Sequence, residues 1–294
     1  MFSKIIHKFL SLTRLVQSEI VKTEQLIQQM QTLSMSCIDK GTSPAAIINS
    51  PLVVSLTTYK ERIHDVHLTI ESIMQQTVLP NRIILWLDEN EFDDASIPIV
   101  LKKQIGRGLE IRYCRNIKSF KKLIPTLKML PEATIITVDD DVIYPYDMIE
   151  RMMSHYREDP KCIYYYRGRI IGRNGHKLKP YNKWKMVTTN EKMMDVIPTG
   201  IGGVLYPSGC FYRDVTNEDH FMGLCPQADD IWFRAMTMLN DYPCQKINYS
   251  GSFRYSFINI ESNQSIALSN ANFFNNYNDV QFKNVFEKYS LLGK

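Results

Sequence analysis

The chain has 294 residues, of which 44% are hydrophobic and 22% charged, a composition typical of one large α/β domain or two small ones. Its 16 tyrosines and 13 phenylalanines exclude a largely disordered chain. The formal net charge of +4 is too small to indicate a nucleic-acid partner, and we expect none. The six cysteines form no C-x-x-C pair, which disfavours a zinc ribbon and indicates free thiols in a reducing compartment.

The first 36 residues predict an N-terminal helical extension, because apolar residues between Phe2 and Val16 recur near helical spacing. They contain neither the run of roughly 20 apolar residues that a membrane span needs nor a signal-peptide pattern, so we expect a cytoplasmic protein. The helix is expected to pack on its own domain, to form a homo-oligomer, or to lie peripherally on the inner face of a membrane. Glu19 and Glu24 weaken its basic face and favour packing or oligomerisation.

After a predicted linker at residues 37–50, apolar runs alternate with helical patterns, and Asn174 with Gly175 indicates a hairpin. This pattern predicts an α/β fold, a mostly parallel sheet flanked by helices, over residues 51–260. Residues 261–294 predict a tail with a short helix. Ligands of such sheets bind beyond the C-terminal ends of the strands. Polar residues stand at three of these ends, at positions 55–58, 88–89 and 139–141.

Three adjacent acids, Asp139, Asp140 and Asp141, directly follow the apolar run ATIITV. Their mutual repulsion is costly unless a cation is present. Strand alternation places Asp139 and Asp141 on one side, where hard oxygen ligands suit Mg²⁺ or Mn²⁺ carrying a phosphate-bearing ligand. The alternative is a solvated acidic turn before a helix opened by Pro145, which the buried strand ahead of the cluster disfavours.

A second acidic pair, Asp229 and Asp230, opens a helical pattern in the segment QADDIWF. Acids in a first helical turn are favoured by the helix dipole whatever their function. A carboxylate at this position could also remove the proton of an attacking hydroxyl group. The metal-type acids about ninety residues upstream favour this second interpretation.

Glycines and basic residues supply further candidates. Gly202 and Gly203 would let the backbone approach a donor or acceptor sugar closely, or would form an ordinary tight turn. Lys122 and Arg62 are candidates for contact with a departing diphosphate, while most neighbouring lysines are expected to face solvent. Seven Lys or Arg and no acid lie between positions 167 and 185, which predicts an exposed hairpin or, less favoured, a site for an acidic acceptor.

The segments VVSLTTYKERI, RIILWLDEN, TVDDDVIYP, GIGGVLYP and QADDIWF follow one another between about residues 50 and 260. In order and spacing they resemble bacterial glycosyltransferases of the GT-A fold, closest to family 2-like enzymes of surface polysaccharide or lipooligosaccharide synthesis. The resemblance implies a Rossmann-like domain that transfers a sugar from a nucleotide sugar, usually with UDP, to a glycan or lipid-linked acceptor. It also implies a divalent metal, Mn²⁺ or Mg²⁺.

The resemblance implies roles for individual residues as well. Nucleotide contacts are expected from Ser55, Thr57, Tyr59, Arg62, Asp88, Asp139 and Asp140, with Lys122 beside the diphosphate. Asp141 is expected to hold the metal with help from Asp139, and Asp230, beside Asp229, is the expected catalytic base. The family pair is often Glu-Asp, and Asp-Asp-Ile also occurs in retaining exostosin-like transferases. Inversion is therefore favoured, with retention left open.

Trp232 or Trp184 is expected to stack on a sugar face. Two rival functions compete with this interpretation. A sugar nucleotidyltransferase normally carries a glycine-rich phosphate loop after its first strand, and the segment SLTTYKERI has no glycine. A non-catalytic glycan-binding or scaffold protein has no need of three acids at a strand end.

Overall fold

The computed structural model describes residues 2–175, 177–249, 253–260 and 277–292. In these ranges the α-helices are α1 (Phe2–Ser36), α2 (Val66–Met74), α3 (Ile99–Ile105), α4 (Ile124–Met129), α5 (Met148–Glu158), α6 (Glu218–Leu224), α7 (Asp229–Leu239), α8 (Phe253–Ser256) and α9 (Tyr277–Lys288). The strands are β1 (Leu52–Thr57), β2 (Arg82–Asp88), β3 (Leu109–Cys114), β4 (Thr134–Thr137), β5 (Val142–Ile143), β6 (Ile163–Tyr165), β7 (Gly168–Ile170), β8 (Arg173–Asn174), β9 (Lys177–Leu178), β10 (Lys192–Met193), β11 (Val196–Pro198), β12 (Val204–Tyr206), β13 (Cys244–Lys246) and β14 (Ile258–Asn259).

One eight-stranded sheet dominates the described part of the chain, in the order β10-β13-β6-β12-β4-β1-β2-β3. The pairings β3–β2, β2–β1, β1–β4 and β6–β13 are parallel, and the remaining three are antiparallel. Helices flank this sheet, and α1 precedes it. The predicted fold class, a mostly parallel sheet flanked by helices with an N-terminal helix, is therefore confirmed.

Alternate residues of the central strands enter two different hydrophobic cores, one on each face of the sheet. On β1, Val53 packs into one core while Leu52 and Val54 pack into the other, and all three are fully buried. The same alternation on β2 sends Ile84 and Leu85 to opposite faces. Because both faces are covered, these strands consist of continuous apolar runs rather than alternating polar and apolar residues.

Helix α1 packs against the domain through its C-terminal part, where Met30 contacts a small core with Leu68 and Ile258. The segment after it is tied down as well, since the Gly41 N–H donates to the Arg107 carbonyl at 2.9 Å. None of the helices in the described ranges is long and apolar enough to span a membrane. Packing on the domain thus accounts for this part of α1, while membrane contact and oligomerisation stay predictions.

The C-terminal half contains two elements that the sequence predicted, a hairpin and a helix near the end of the chain. Strands β8 and β9 pair antiparallel across a turn in which Gly175 has φ of +58°, which confirms the predicted hairpin. Helix α9 packs against α7, burying Phe282 and Phe286 in the core beneath the sheet. The helix predicted for the tail is therefore part of the packed structure that supports α7.

Candidate functional site

A cleft of about 980 Å³ opens at the C-terminal ends of β1 and β4. Part of its lining consists of residues 57–60 at the end of β1, residues 138–141 after β4, and the short helix Lys118–Lys122. The rest includes Arg167, Arg169 of β7, residues 199–201 and the start of α7, which Lys122 contacts directly. The cleft thus lies where a parallel sheet of this kind offers a ligand site.

Arg62 binds two adjacent carboxylates on the floor of the cleft. Its Nη1 donates to Asp140 Oδ1 at 2.6 Å, its Nη2 donates to Asp141, and the Thr58 hydroxyl donates to Asp140 Oδ2 at 2.6 Å. We call these four residues the Arg62 cluster. Burial raises the pKa of Asp140 to about 7, although Arg62 acts to lower it. Both Asp140 oxygens are therefore already used by protein contacts, and little of the group is left for a ligand.

Lys122 gathers three carboxylates from two distant parts of the sequence. Its Nζ lies 2.8 Å from Asp229, 3.3 Å from Asp139 and 3.8 Å from Asp230. We call these four residues the Lys122 cluster. Burial acts to lower the pKa of Lys122, but the three carboxylates raise it well above its ordinary value. With one cation and three anions, the cluster keeps a negative charge that would attract a further cation.

Gly200 is the glycine that the cleft requires. Its N–H donates to Asp230 Oδ2 at 3.2 Å, and a Cβ at this position would lie 2.6 Å from Asp139 Oδ1 and 2.8 Å from Lys122 Nζ. Gly202 and Gly203, for which sugar contacts were predicted, are buried and do not line the cleft. A Cβ on Gly202 would lie 3.0 Å from the Arg167 backbone nitrogen, and one on Gly203 (φ +76°) would lie beside methionines of α5.

Asp230, at the start of α7, lines the cleft. Burial raises the pKa of Asp230 to about 7, and Lys122 partly offsets this rise. A carboxylate with a pKa near the working pH can remove a proton from a hydroxyl group more effectively than an ordinary aspartate. The Gly200 N–H holds its Oδ2, and the side chain still exposes 28% of its surface.

Asp139 and Asp141 are the carboxylates in the cleft that could hold a divalent metal. Both line the cleft, with 31% and 16% of their side chains exposed. Burial raises the pKa of Asp141, and repulsion from Asp139 raises it further. No group of three or more His, Cys, Asp or Glu side chains in the described ranges forms a metal site. Two carboxylates nevertheless fit Mg²⁺ or Mn²⁺ in a site that substrate phosphates complete.

The other predicted nucleotide contacts divide into two groups. Thr57, Tyr59 and Arg62 line the cleft with Lys122, and their contacts with a nucleotide stay predictions. Ser55 does not line the cleft, because it is fully buried and its hydroxyl is hydrogen-bonded to Thr126 at 2.8 Å. Ser55 therefore offers no exposed surface for the nucleotide contact that was predicted for it.

Asp88 is buried below the cleft rather than lining it, and its carboxylate accepts the Asn90 N–H at 3.0 Å. The sequence missed Glu91, which lies three residues further on and does line the cleft.

The two tryptophans predicted to stack on a sugar do not line the cleft. Trp232 has no exposed surface, and its indole N–H donates to the Val215 carbonyl at 2.9 Å. Trp184 is buried as well and donates to the Lys179 carbonyl. On α7, Ile231 rather than Trp232 is the apolar side chain that lines the cleft.

Several cleft residues were not predicted individually from the sequence, chief among them Arg167, Arg169 and Tyr181. Arg169 lies on β7, Arg167 directly precedes this strand, and Tyr181 begins the short helix Tyr181–Lys183. Elements of three residues are too short for a hydrophobic pattern to show which side chains face a site. The one available signal is the spacing of Arg167 and Arg169, which places two guanidinium groups on one face of an extended strand.

Comparison of the chain with known proteins identifies its family. The family model for glycosyl transferase family 2 matches residues 53–220, more than half of the chain. No curated protein gives a significant match. Among solved structures, the chain is similar to a mannosyltransferase from Pyrobaculum calidifontis in complex with GDP-Man and Mn²⁺, at 13% identity and a TM-score of 0.43. That match covers 82% of this chain and 68% of that one.

Two further solved structures are similar at the same low level. One is a putative glucose-1-phosphate thymidylyltransferase from Bacillus anthracis, at 12% identity and a TM-score of 0.42, covering 78% of this chain and 99% of that one. The other is a CMP:2-keto-3-deoxy-manno-octonic acid synthetase with CTP, at 9% identity and a TM-score of 0.42, covering 76% and 98%. Similarities at this level identify neither a ligand nor a reaction. The family match shows that the chain, with its Rossmann-like GT-A fold, belongs to glycosyl transferase family 2.

Proposed function

We propose that the protein transfers a sugar from a UDP-sugar to a hydroxyl group of an acceptor glycan in bacterial surface polysaccharide synthesis, with Mg²⁺ or Mn²⁺ as cofactor. The observation that carries the proposal is the Lys122 cluster. Carboxylates from the end of β4 and from the start of α7 meet around one ammonium group inside the cleft. The choice of UDP and of the polysaccharide pathway rests on the resemblance of the sequence motifs.

The donor nucleotide is assigned to the wall beyond β1. Thr57 and Tyr59 line this wall, and the Arg62 guanidinium lies 5.3 Å from the centre of the Tyr59 ring. Lys118 and Lys121 line the same side. Basic groups at this point would stabilise negative charge that accumulates on a departing diphosphate.

Asp139 and Asp141 would hold the metal ion, whose contribution is to neutralise charge on the diphosphate leaving group. Asp139 contacts Lys122, and Asp141 contacts Arg62. Both side chains keep part of their surface open to the cleft, so neither cation covers its carboxylate completely.

Asp230 is assigned as the base that removes the proton of the acceptor hydroxyl while that oxygen attacks the anomeric carbon. The Gly200 N–H and Lys122 contact its carboxylate, and burial raises its pKa to about 7, so that it can exchange a proton near neutral pH. A single base next to the donor site supports direct displacement, which inverts the anomeric configuration. Asp229 lies closer to Lys122 and positions that ammonium group.

Isothermal titration calorimetry with UDP, GDP and CDP, each with and without Mn²⁺, tests the donor assignment. We expect UDP to bind most tightly and only with the metal, and Asp141→Asn to weaken that binding at least about tenfold. Asp219→Asn, which removes an exposed carboxylate on α6 outside the cleft, serves as the matched control. Absence of binding by all three nucleotides, or equal binding without metal, would contradict the proposal.

A further inference from the structure

Two arginines, Arg169 on β7 and Arg167 directly before this strand, line the same cleft. Arg169 pairs with Ile197 in the β7–β11 ladder, and the Thr199 N–H donates to the Arg167 carbonyl at 2.9 Å. Residues two apart on an extended strand point to the same face. Both side chains line the cleft, so the ladder fixes two positive charges side by side within it.

Contacts around the pair hold it rigidly. The Arg167 Nη1 donates to the Thr199 hydroxyl at 3.2 Å, and the Arg169 Nη1 donates to the Trp184 carbonyl at 3.1 Å. The Arg169 guanidinium lies 5.5 Å from the centre of the Tyr181 ring. The Tyr181 N–H in turn donates to Asp279 at the start of α9, at 2.7 Å.

The charge of the pair is not balanced by a direct contact at Arg167. Among the described residues, no carboxylate forms an ion pair with Arg167, and its guanidinium donates to a neutral hydroxyl, that of Thr199. Burial lowers the pKa of Arg167, and the neighbouring charge of Arg169 lowers it further, while Asp230 and Asp139 act in the opposite direction. Because a guanidinium does not lose its proton in proteins, the remaining repulsion is best relieved by a bound anion.

The site of that anion lies beside the proposed base. Arg167 contacts Thr199, and the next residue, Gly200, donates its N–H to Asp230. Burial raises the pKa of Tyr181 to about 12, and the charge of Asp230 contributes to this rise. Because Thr199 and Gly200 are consecutive residues, an anion bound at Arg167 would lie on the same part of the cleft as the proposed base.

We propose that Arg167 and Arg169 bind an anionic group, a carboxylate or a phosphate, carried by the acceptor sugar. This inference rests on the proposed function, because it assigns the wall next to Asp230 to the acceptor. Guanidinium groups suit both anions, since their parallel N–H groups match two oxygens at once. The site selects acceptors that carry this charge and disfavours neutral sugars.

The test measures binding of three probes in the presence of UDP and Mn²⁺ by ligand-observed NMR. The probes are methyl β-glucoside, methyl β-glucuronide and methyl β-glucoside 6-phosphate, which differ in the group at C6. We expect wild-type protein to bind at least one anionic probe about tenfold more tightly than the neutral glucoside. The glucuronide and the phosphate distinguish a carboxylate from a phosphate as the natural group.

Arg167→Gln and Arg169→Gln should remove this preference and leave UDP affinity within about twofold of wild type. Lys185→Gln removes an exposed charge of the same sequence segment outside the cleft and should keep the preference. Arg167→Lys retains charge without the fork and should keep only part of the preference. Melting temperatures of all variants identify any that fail to fold, and Arg169→Gln then replaces Arg167→Gln as the test.

Equal binding of neutral and anionic probes, no binding of either anionic probe, or a preference that survives both glutamine variants would overturn the inference. It would also fail if the glutamine variants weakened UDP binding as strongly as probe binding, since the pair would then serve the donor diphosphate. Absence of UDP binding to wild-type protein would instead contradict the proposed function itself. The two failures are thus separate results.

Discussion

The two cation-centred clusters in the cleft differ in how far water reaches their carboxylates. In the Arg62 cluster, the side chains of Asp140 and Asp141 are only 6% and 16% exposed. In the Lys122 cluster, Asp139 and Asp230 are 31% and 28% exposed. The two cations themselves are equally buried, because each side chain has 8% of its surface exposed.

This difference separates a supporting role from a reactive one. Arg62 joins the end of β4 to the segment after β1 and is used mainly in holding them together. Of the carboxylates that contact Lys122, Asp139 and Asp230 keep 31% and 28% of their surface exposed, while Asp229 keeps 11%. We therefore expect loss of Arg62 to reduce stability first, and loss of Asp230 to reduce activity first.

The largest expected effect is on turnover in Asp230→Asn. Loss of a general base typically lowers the rate about 10²–10⁴-fold. Since the amide keeps the shape of the side chain, UDP affinity should stay within about twofold of wild type. Steady-state rates of UDP release from a UDP-sugar, with calorimetry of UDP on the same sample, check both parts. Wild-type turnover in this variant would remove Asp230 from the mechanism.

The next largest effect is on the stability of Arg62→Met. Removing the guanidinium leaves two buried carboxylates without their cation, which costs roughly 3–5 kcal/mol when one partner of a buried pair is deleted. Urea unfolding measures the change. Arg115→Met is the matched control, since it breaks a surface pair with Glu218 in which the arginine is 68% exposed, and such pairs contribute about 0–1 kcal/mol. Equal losses in both variants would contradict the supporting role of Arg62.

A smaller loss of stability is expected for Lys122→Met, roughly 1–3 kcal/mol. Asp139 and Asp230 can be hydrated once the ammonium is gone, and only Asp229, at 11% exposure, is left buried. Turnover should fall as well, because the base loses its orientation. Lys102→Met, an exposed position on α3, provides the comparison. A stability loss larger than that of Arg62→Met would reverse the contrast between the clusters.

The smallest effect is a pH dependence. The pKa of Asp230 is raised to about 7, and a base acts only when deprotonated. The value of kcat/KM should therefore rise as the pH increases through about 7 and then level off. Rates measured between about pH 5 and 9 give the profile, and the residual activity of Asp230→Asn should lack this limb. A limb that persists in the variant would belong to another group.

Much of the fold was predictable because its central strands are buried on both faces. Continuous apolar runs such as RIILWL then identify strands directly, and the acids that follow ATIITV mark a strand end. The meeting of Asp139 with Asp230 could be expected only through the resemblance to a family. Spacing alone does not show that α7 begins beside the end of β4.

The remaining site residues depended on details of the backbone and of packing. A Cβ on Gly200 would lie 2.6 Å from Asp139, whereas one on Gly202 or Gly203 would meet other residues, and the sequence does not show this difference. The helical pattern of α7 likewise does not show that Trp232, predicted to stack on a sugar, is fully buried. Arg167 and Arg169 enter the cleft through pairing with β11, a long-range contact that no local pattern contains.

The most direct test of the central claim is a crystal structure of the protein with UDP and Mn²⁺. We expect the nucleotide to lie against residues 57–62 and the metal to contact Asp139 and Asp141. We expect the Asp230 carboxylate to remain uncovered by the nucleotide. A nucleotide bound outside this cleft, or a metal bound without either carboxylate, would contradict the claim.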